Sequence, residues 1–433
     1  MESNELATRL KELRAAKARG LGRRKIPQRE VATHLHISPG AYGSWESGRT
    51  RPNIDLLPRI AEYFEVSIDD LLGHPVEVQA GWRRIITEKD LHWKLRRRAE
   101  TPEEEKGIEV WRRLVRGESP EVIAAALKIQ SPHEVERHIQ DVVYADLISV
   151  EHLPQDADLA ERVRQAFGLR EVMVVPVDEE APVIFRSALL GEAARSYFKA
   201  HVSEGMKVGL AGGYSVSRLV YSLRRGECRS IEVYPLAISP VIEAIALDAN
   251  SLVGALAYRH DGYDVRGYTL QYASPLDWKE AKADTGRKYA ATRRILAKAK
   301  SVDIAFMGLG VLGRRRAPID LLGDLLETEA GLEELRRRGA VGDILYHLVD
   351  RHGQPVSPEI SNLICSIDLQ DLREMVQVGV RVVAIASAER KVEGTSAQKK
   401  AEIARTAIKA GYANVFIIDD GLARALLEPE QPG

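Results

Sequence analysis

Leu6, Leu10 and Leu13 recur at the spacing of one helix face. Beyond them, Val31, Ala32, Leu35, Ile37, Tyr42 and Trp45 predict an apolar seam between two short helices joined by a tight turn. Ser38 stands where the second helix needs an N-cap, and Pro39 suits its first position. Gly48 stops that helix, and Leu56, Leu57, Ile60, Ala61 and Phe64 resume helical spacing. Such a helix-turn-helix puts one exposed helix at the edge of a compact domain, where it can enter a DNA major groove. A first domain over residues 1–75 is expected.

Residues 76–106 are polar and charged: Arg83, Arg84, Lys89, Lys94 and Arg96–Arg98 precede Glu103–Glu105. They read as a helical linker with a solvated face. Residues 107–155 repeat a three-helix pattern, with Ile108, Trp111, Leu114 and Val115 first. Two Ser-Pro starts follow at Ser119 and Ser131, and Ile148–Val150 is the first strand of a possible wing. Over 156–433 the period switches. Strands are expected at 172–177, 206–210, 231–238, 251–257, 302–309, 380–386 and 414–418. Helices are expected at 190–202, 284–300 and 397–410. That alternation predicts an α/β domain with a largely parallel sheet.

The chain's 433 residues are too many for one ordinary core, and 45% hydrophobic with 29% charged residues fits a soluble globular protein. A net charge of −1 means that any nucleic-acid signal must be local. It is local: residues 1–52 hold eleven Lys/Arg against five Asp/Glu, whereas residues 53–75 hold one Arg against five acids. A basic face backed by an acidic one suits phosphate contact. Two distant cysteines, Cys228 and Cys365, argue against a disulfide framework or zinc site. The first residues lack the basic and apolar regions of a signal peptide, and no apolar run approaches about 18 residues. A cytoplasmic protein with no membrane partner, no metal and no cofactor is expected.

Over residues 5–73 the order of helices resembles the Xre (Cro/repressor-like) helix-turn-helix family. Gln28 opens helix two, Ala32 sits at the close helix contact, Trp45-Glu46-Ser47-Gly48 ends helix three and Pro52 follows. The resemblance implies that residues after the turn face bases and their flanks grip phosphate, which nominates Gln28, Ser38, Gly40, Ala41 and Ser44. Pro39, Gly40, Ala41, Gly43 and Ser44 are small where the family often carries Arg, Gln or Asn, so bidentate base contacts are absent. Arg49, Arg51 and the Arg23-Arg24-Lys25 loop are then expected to supply affinity through phosphate, with DNA shape adding preference. The 107–155 pattern resembles the winged helix-turn-helix of SorC-family regulators. Its reading helix carries Glu134 and Glu136 against Arg137 alone, so it is expected to serve packing or dimerisation.

Gly209-Leu-Ala-Gly-Gly-Tyr-Ser-Val-Ser-Arg218 joins a strand to a helix. It reads equally as a plain turn or as a phosphate cradle. In the cradle, Gly212 and Gly213 admit a ligand to the free amides of a helix that starts near Ser215. Four further stretches follow in order: Asp303–Gly310, Gly339–Ile344 with Asp350–Val356, Val382–Ala386, and Lys400–Ala404 with Gly411–Asp420. Together they resemble the SorC-family sugar-binding domain over roughly 105–428. The resemblance implies a sugar-phosphate-isomerase-like fold and a phosphorylated sugar effector. It carries Gly212, Gly213, Tyr214, Ser215 and Ser217 to the phosphate loop, Gly308 and Gly310 to the Asp-strand-Gly element, and Asp343 to the Gly-Asp-Ile hairpin. Either Lys391 or Lys400 is the phosphate-pairing lysine. Lys400 is preferred, because Ala-Glu-Ile follows it and Ser396 is placed to cap its helix. Ala211 departs from the Ser or Thr expected there, and Tyr214 from a small hydroxyl residue or arginine.

The resulting expectation is a transcriptional regulator, not an enzyme. It would bind double-stranded operator DNA and a small phosphorylated sugar or related metabolite, as a homodimer or homotetramer. An isomerase or hydrolase with a DNA-binding appendage, or an oligomerisation scaffold, are the alternatives. No nucleophile–base pair or metal-ligand spacing stands out to favour the enzyme.

Overall fold

The computed structural model describes residues 3–20, 25–35, 37–53, 56–64, 92–131, 134–135, 137–139, 142, 147–177, 181, 183–224, 226–238, 247–260, 265–271, 289–312, 329–388 and 397–429. The chain divides into two compact units, Met1–Ala80 and Gly81–Gly433. In the first, helices α1 (Ser3–Gly20), α2 (Gln28–His34), α3 (Pro39–Glu46) and α4 (Leu57–Phe64) enclose one apolar core. Leu10, Ile26, Val31, Ala32, Leu35, Tyr42 and Ile60 form its buried centre. All but Ile26 are expected periodic positions, so the helical period and the packing agree.

The second unit opens with strand β1 (His92–Leu95), helices α5 (Pro102–Val115) and α6 (Pro120–Leu127), and strand β2 (Ile148–His152). Both helices start with a hydroxyl N-cap before proline, the signal expected at Ser119 and found again at Thr101. Thr101 accepts from the Glu104 amide and Ser119 from the Val122 amide. The expected helical linker is corrected here: His92–Leu95 is extended and pairs antiparallel with β2. Pairing with β2, rather than any alternation of burial, fixes the strand: Trp93 is half-buried, and Lys94 and Leu95 are both exposed. Trp111 of α5, Ile148 and Val150 share a continuous core with Phe185, Leu189, Val208 and Phe306 of the α/β region. The Trp111 and Phe185 rings lie 5.2 Å apart.

The α/β region runs α7 (Ala157–Phe167), β3 (Glu171–Val175), α8 (Val183–His201), β4 (Lys207–Leu210), α9 (Tyr214–Ser222), β5 (Ile231–Pro235), α10 (Ala249–Arg259) and β6 (Val265–Gly267). It continues through α11 (Ala290–Ala299), β7 (Ile304–Met307), β8 (Gly310–Val311), α12 (Glu329–Arg337), β9 (Ala340–Ile344) and β10 (His347–Asp350). Helices α13 (Pro358–Ser361) and α14 (Leu369–Gln377), strand β11 (Arg381–Ala386), helix α15 (Ala397–Lys409), strand β12 (Val415–Asp419) and helix α16 (Asp420–Leu427) complete it. Among the described residues the main sheet has the order β3-β12-β11-β7-β4-β5-β6 and every pairing is parallel. Helices on both faces explain the near-continuous apolar strands, such as the fully buried Val415–Asp419. A smaller antiparallel sheet, β10-β9-β8, branches from the end of β7.

One expected strand is wrong. Residues 251–257 lie inside α10, which Asp248 caps by accepting from the Asn250 amide. The run Ser-Leu-Val-Gly-Ala-Leu-Ala is short and apolar, so its period is ambiguous. The cap and the buried 249/252/253/256 spacing settle it as helix. Among the described residues no helix is long and apolar enough to cross a membrane.

Candidate functional site

In the first unit the turn between α2 and α3 is built as its chemistry requires. Ser38 accepts from the Ala41 amide at 3.2 Å, and Pro39 occupies the first turn. Tyr42, Trp45 and Glu46 point inward, leaving Ser38, Pro39 and Gly40 exposed and Ala41, Gly43 and Ser44 half-buried. Glu46 is 1% exposed. It accepts from Arg14 Nε at 2.6 Å, from Arg14 Nη2 at 2.9 Å and from Gln28 Nε2 at 2.6 Å. Arg14 also reaches the Ile26 carbonyl at 2.6 Å. Burial alone would raise the Glu46 pKa, but the Arg14 and Gln28 hydrogen bonds outweigh it and hold the carboxyl below its ordinary value. Gln28, nominated for DNA contact, therefore has its amide nitrogen engaged in bracing α2 against α3.

Lys25, Arg49 and Arg51 are exposed, as phosphate contact demands. Arg29, exposed on α2, adds a cation that sequence reasoning passed over, although its charge was plain to see. Arg23 and Arg24 lie outside the described residues.

In the second unit, the strand order reverses between β4 and β7, and in such sheets the crevice at the strand C-termini at this switch point takes the ligand. β4 leads into Gly212-Gly213 and the start of α9, and β7 leads into Gly308-Leu309-Gly310. Gly213 is the α9 N-cap at φ +111°, a conformation that L side chains rarely adopt. Its amide donates to the Leu247 carbonyl at 2.8 Å. Gly212 has no room for a side chain: a Cβ there would lie 2.3 Å from the Tyr346 hydroxyl and 2.9 Å from the Leu247 carbonyl.

The second strand end is equally tight. Gly310 pairs with Asp343, and a Cβ on Gly310 would sit 1.6 Å from the Asp343 carboxylate. A Cβ on Gly308 would come within 4.0 Å of the Ser215 hydroxyl. Lys400, on α15 and only 8% exposed, donates to the Leu309 carbonyl at 2.6 Å. Gly212, Gly213, Ser215, Gly308, Gly310, Asp343 and Lys400 thus meet around two neighbouring strand ends. A buried ammonium, a hydroxyl and a free helix N-terminus can together hold a phosphate dianion.

Two nominated residues have other engagements. Ser217 is fully buried, and its hydroxyl donates to the Tyr214 carbonyl at 2.7 Å, inside the helix. Tyr214 carries the Arg218 guanidinium 4.3 Å over its ring, and its hydroxyl accepts from Arg218 Nη2 at 2.6 Å. Lys391 lies outside the described residues. Tyr346 and Arg218 were missed: Arg218 ends the quoted segment and meets Tyr214 one helical turn back, whereas only the fold brings Tyr346 to the loop. A separate small cavity lies between α5–β2 and α8–α9, lined by Trp111, Val150, Glu192, Tyr221 and Ser222. No crevice residue lines it. Among the described residues no group of three or more His, Cys, Asp or Glu could hold a metal.

The chain thus joins a helix-turn-helix unit to a parallel α/β domain with a glycine loop and a buried lysine at its switch point, the layout of a transcriptional regulator with a sugar-binding-type domain. The family model described as "Putative sugar-binding domain" (Sugar-bind) matches residues 151–428, and a helix-turn-helix model matches residues 16–71. The chain belongs to the Sugar-bind family and is a SorC-type transcriptional regulator with an added N-terminal helix-turn-helix. It is 26% identical over 317 residues to the deoxyribonucleoside regulator of Bacillus subtilis, spanning 71% of this chain and 92% of that one. Its first part is 38% identical over 73 residues to the HTH-type transcriptional activator BcrR of Enterococcus faecalis, 17% of this chain and 31% of that one. The fold matches full-length SorC, the sorbitol operon regulator of Klebsiella pneumoniae, at TM-score 0.51 and 19% identity. That match covers 76% of this chain and all of the other.

Proposed function

We propose that this regulator binds operator DNA through α3 and the cations around it, and senses a small phosphorylated sugar-like effector in the β4–β7 crevice. The phosphate would sit on the Gly212–Ser215 loop at the α9 N-terminus, paired with Lys400, and Asp343 would meet sugar hydroxyls. One observation carries this reading: four separated sequence segments bring a glycine loop with Ser215, Gly308–Gly310, Asp343 and a buried lysine to adjacent strand ends. The effector would change subunit arrangement, and hence half-site spacing, through unequal affinity for the two arrangements. A single helix-turn-helix reads a short half-site, so a homodimer or homotetramer is the working form.

Titration calorimetry with phosphorylated hexoses, phosphorylated pentoses and deoxyribonucleosides tests it. The relative named for deoxyribonucleosides puts the last group on the panel. At least one phosphorylated sugar should bind the wild type, and Lys400→Met should weaken it at least tenfold. Binding that is indifferent to both the phosphate group and Lys400 would remove the phosphate from the proposal.

A further inference from the structure

The β9–β10 turn is made by Leu345 and Tyr346, both in the left-handed region at φ +51° and φ +66°. Two-residue hairpin turns with two positive φ values favour Asn-Gly, because the Cβ of other L residues crowds the following carbonyl in that conformation. A branched aliphatic residue followed by an aromatic one is the costly choice. The surroundings must hold it, and they do. The Tyr346 amide donates to Asp343 at 3.3 Å, and both turn residues are buried in the main core. His347, immediately after the turn, bonds Ser366 at 2.7 Å.

The outcome is the position of one hydroxyl. Tyr346 Oη lies where a Gly212 Cβ would need to be, at 2.3 Å from that point. On the same side of Gly212 lie the Leu247 carbonyl and the first amide of α10, Ala249 N, at 2.9 and 3.3 Å from that point. The Tyr346 hydroxyl therefore borders the loop where α9 begins, beside the start of a second helix. The same turn is tied through Asp343 to Gly310, next to the carbonyl that holds Lys400.

We propose that Tyr346 is an effector-contacting residue, its phenol donating to an anionic oxygen held on the Gly212–Ser215 loop. This rests on the crevice being the effector site. A phenol is a neutral donor that adds a directed hydrogen bond without another cation, so it helps to select for an anion of fixed orientation. The unfavourable backbone at 345–346 is the means by which a side chain from the small sheet reaches a loop of the large one, and strain of this kind collects at ligand clamps.

The test compares wild type, Tyr346→Phe, Tyr346→Gly and Lys400→Met in the full-length protein. The probes are inorganic phosphate, glucose 6-phosphate and ribose 5-phosphate, followed by calorimetry and by melting temperature. Tyr346→Phe should keep the unliganded melting temperature and weaken the best probe five- to twentyfold. Tyr346→Gly relaxes the turn but deletes a buried ring, so it should melt below wild type and bind as weakly as the Phe variant. If Lys400→Met loses the probe while Tyr346→Phe binds like wild type, the assignment of Tyr346 is overturned and the crevice stands. If wild type binds none of the probes, both fall.

Discussion

At the scale of single residues, close approaches decide outcomes. Gly310→Ala would drive a methyl into the Asp343 carboxylate. Overpacking of this kind costs about 1–3 kcal/mol, so the variant should melt several degrees lower and lose effector-induced stabilisation. Differential scanning fluorimetry with and without a sugar phosphate reads both effects. Asp419 gives a prediction in pH. Burial pushes its carboxyl up to about 6, against the Arg186 guanidinium at 3.6 Å and the amides of Ala388 and Leu422. The folded state then binds this proton more tightly than the unfolded chain, whose value is 3.8. Stability from this group is greatest below pH 3.8 and falls as pH rises to about 6, by up to ~3 kcal/mol. Asp419→Asn should flatten the pH dependence of urea unfolding across that window. Glu46 works in the opposite sense. Its depressed value favours the fold above the ordinary carboxylate range, and that support fades in acid.

At the scale of elements, caps and periods told more than composition. Ser38, Thr101 and Ser119 each stand before a proline and each caps a helix, so these starts were readable from two residues. Ser38→Ala should cost about 1 kcal/mol and loosen the start of α3, lowering both the first-unit melting transition and DNA affinity. Strand β1 was not readable. Four residues, two polar and two apolar, acquire their conformation from pairing with Ile148–His152, more than fifty positions away in the chain. Residues 251–257 failed for another reason: an apolar run that short fits either period until its cap is recognised. The β4–β7 crevice was legible as segments, because glycines at strand ends announce close approach. The Gln28 brace and the Tyr346 contact were not, since both depend on partners from other elements.

At the scale of the whole molecule, the proposed function assigns DNA affinity to the first unit and control to the second. The reading helix presents Gly40, Ala41 and Ser44 rather than long polar side chains, so binding should depend strongly on salt. Replacing Arg49 and Arg51 together with Ala should lower DNA affinity across all sequences and reduce the slope of log K against log salt by about 2. Fluorescence anisotropy over a salt series measures it. Sedimentation with and without the bound sugar phosphate should report a dimer or tetramer whose shape or order changes.

The chain parts after residue 80, and α5, α6 and the β1–β2 ribbon share a core with the α/β sheet rather than standing alone. Evolution and engineering therefore have one clean place to cut. A protein begun at Gly81 keeps its hydrophobic interior whole, whereas one begun at residue 156 strips the cover from Phe185 and Leu189. Foreign DNA-reading heads joined at residue 80 should yield regulators with the old effector and a new address in the genome.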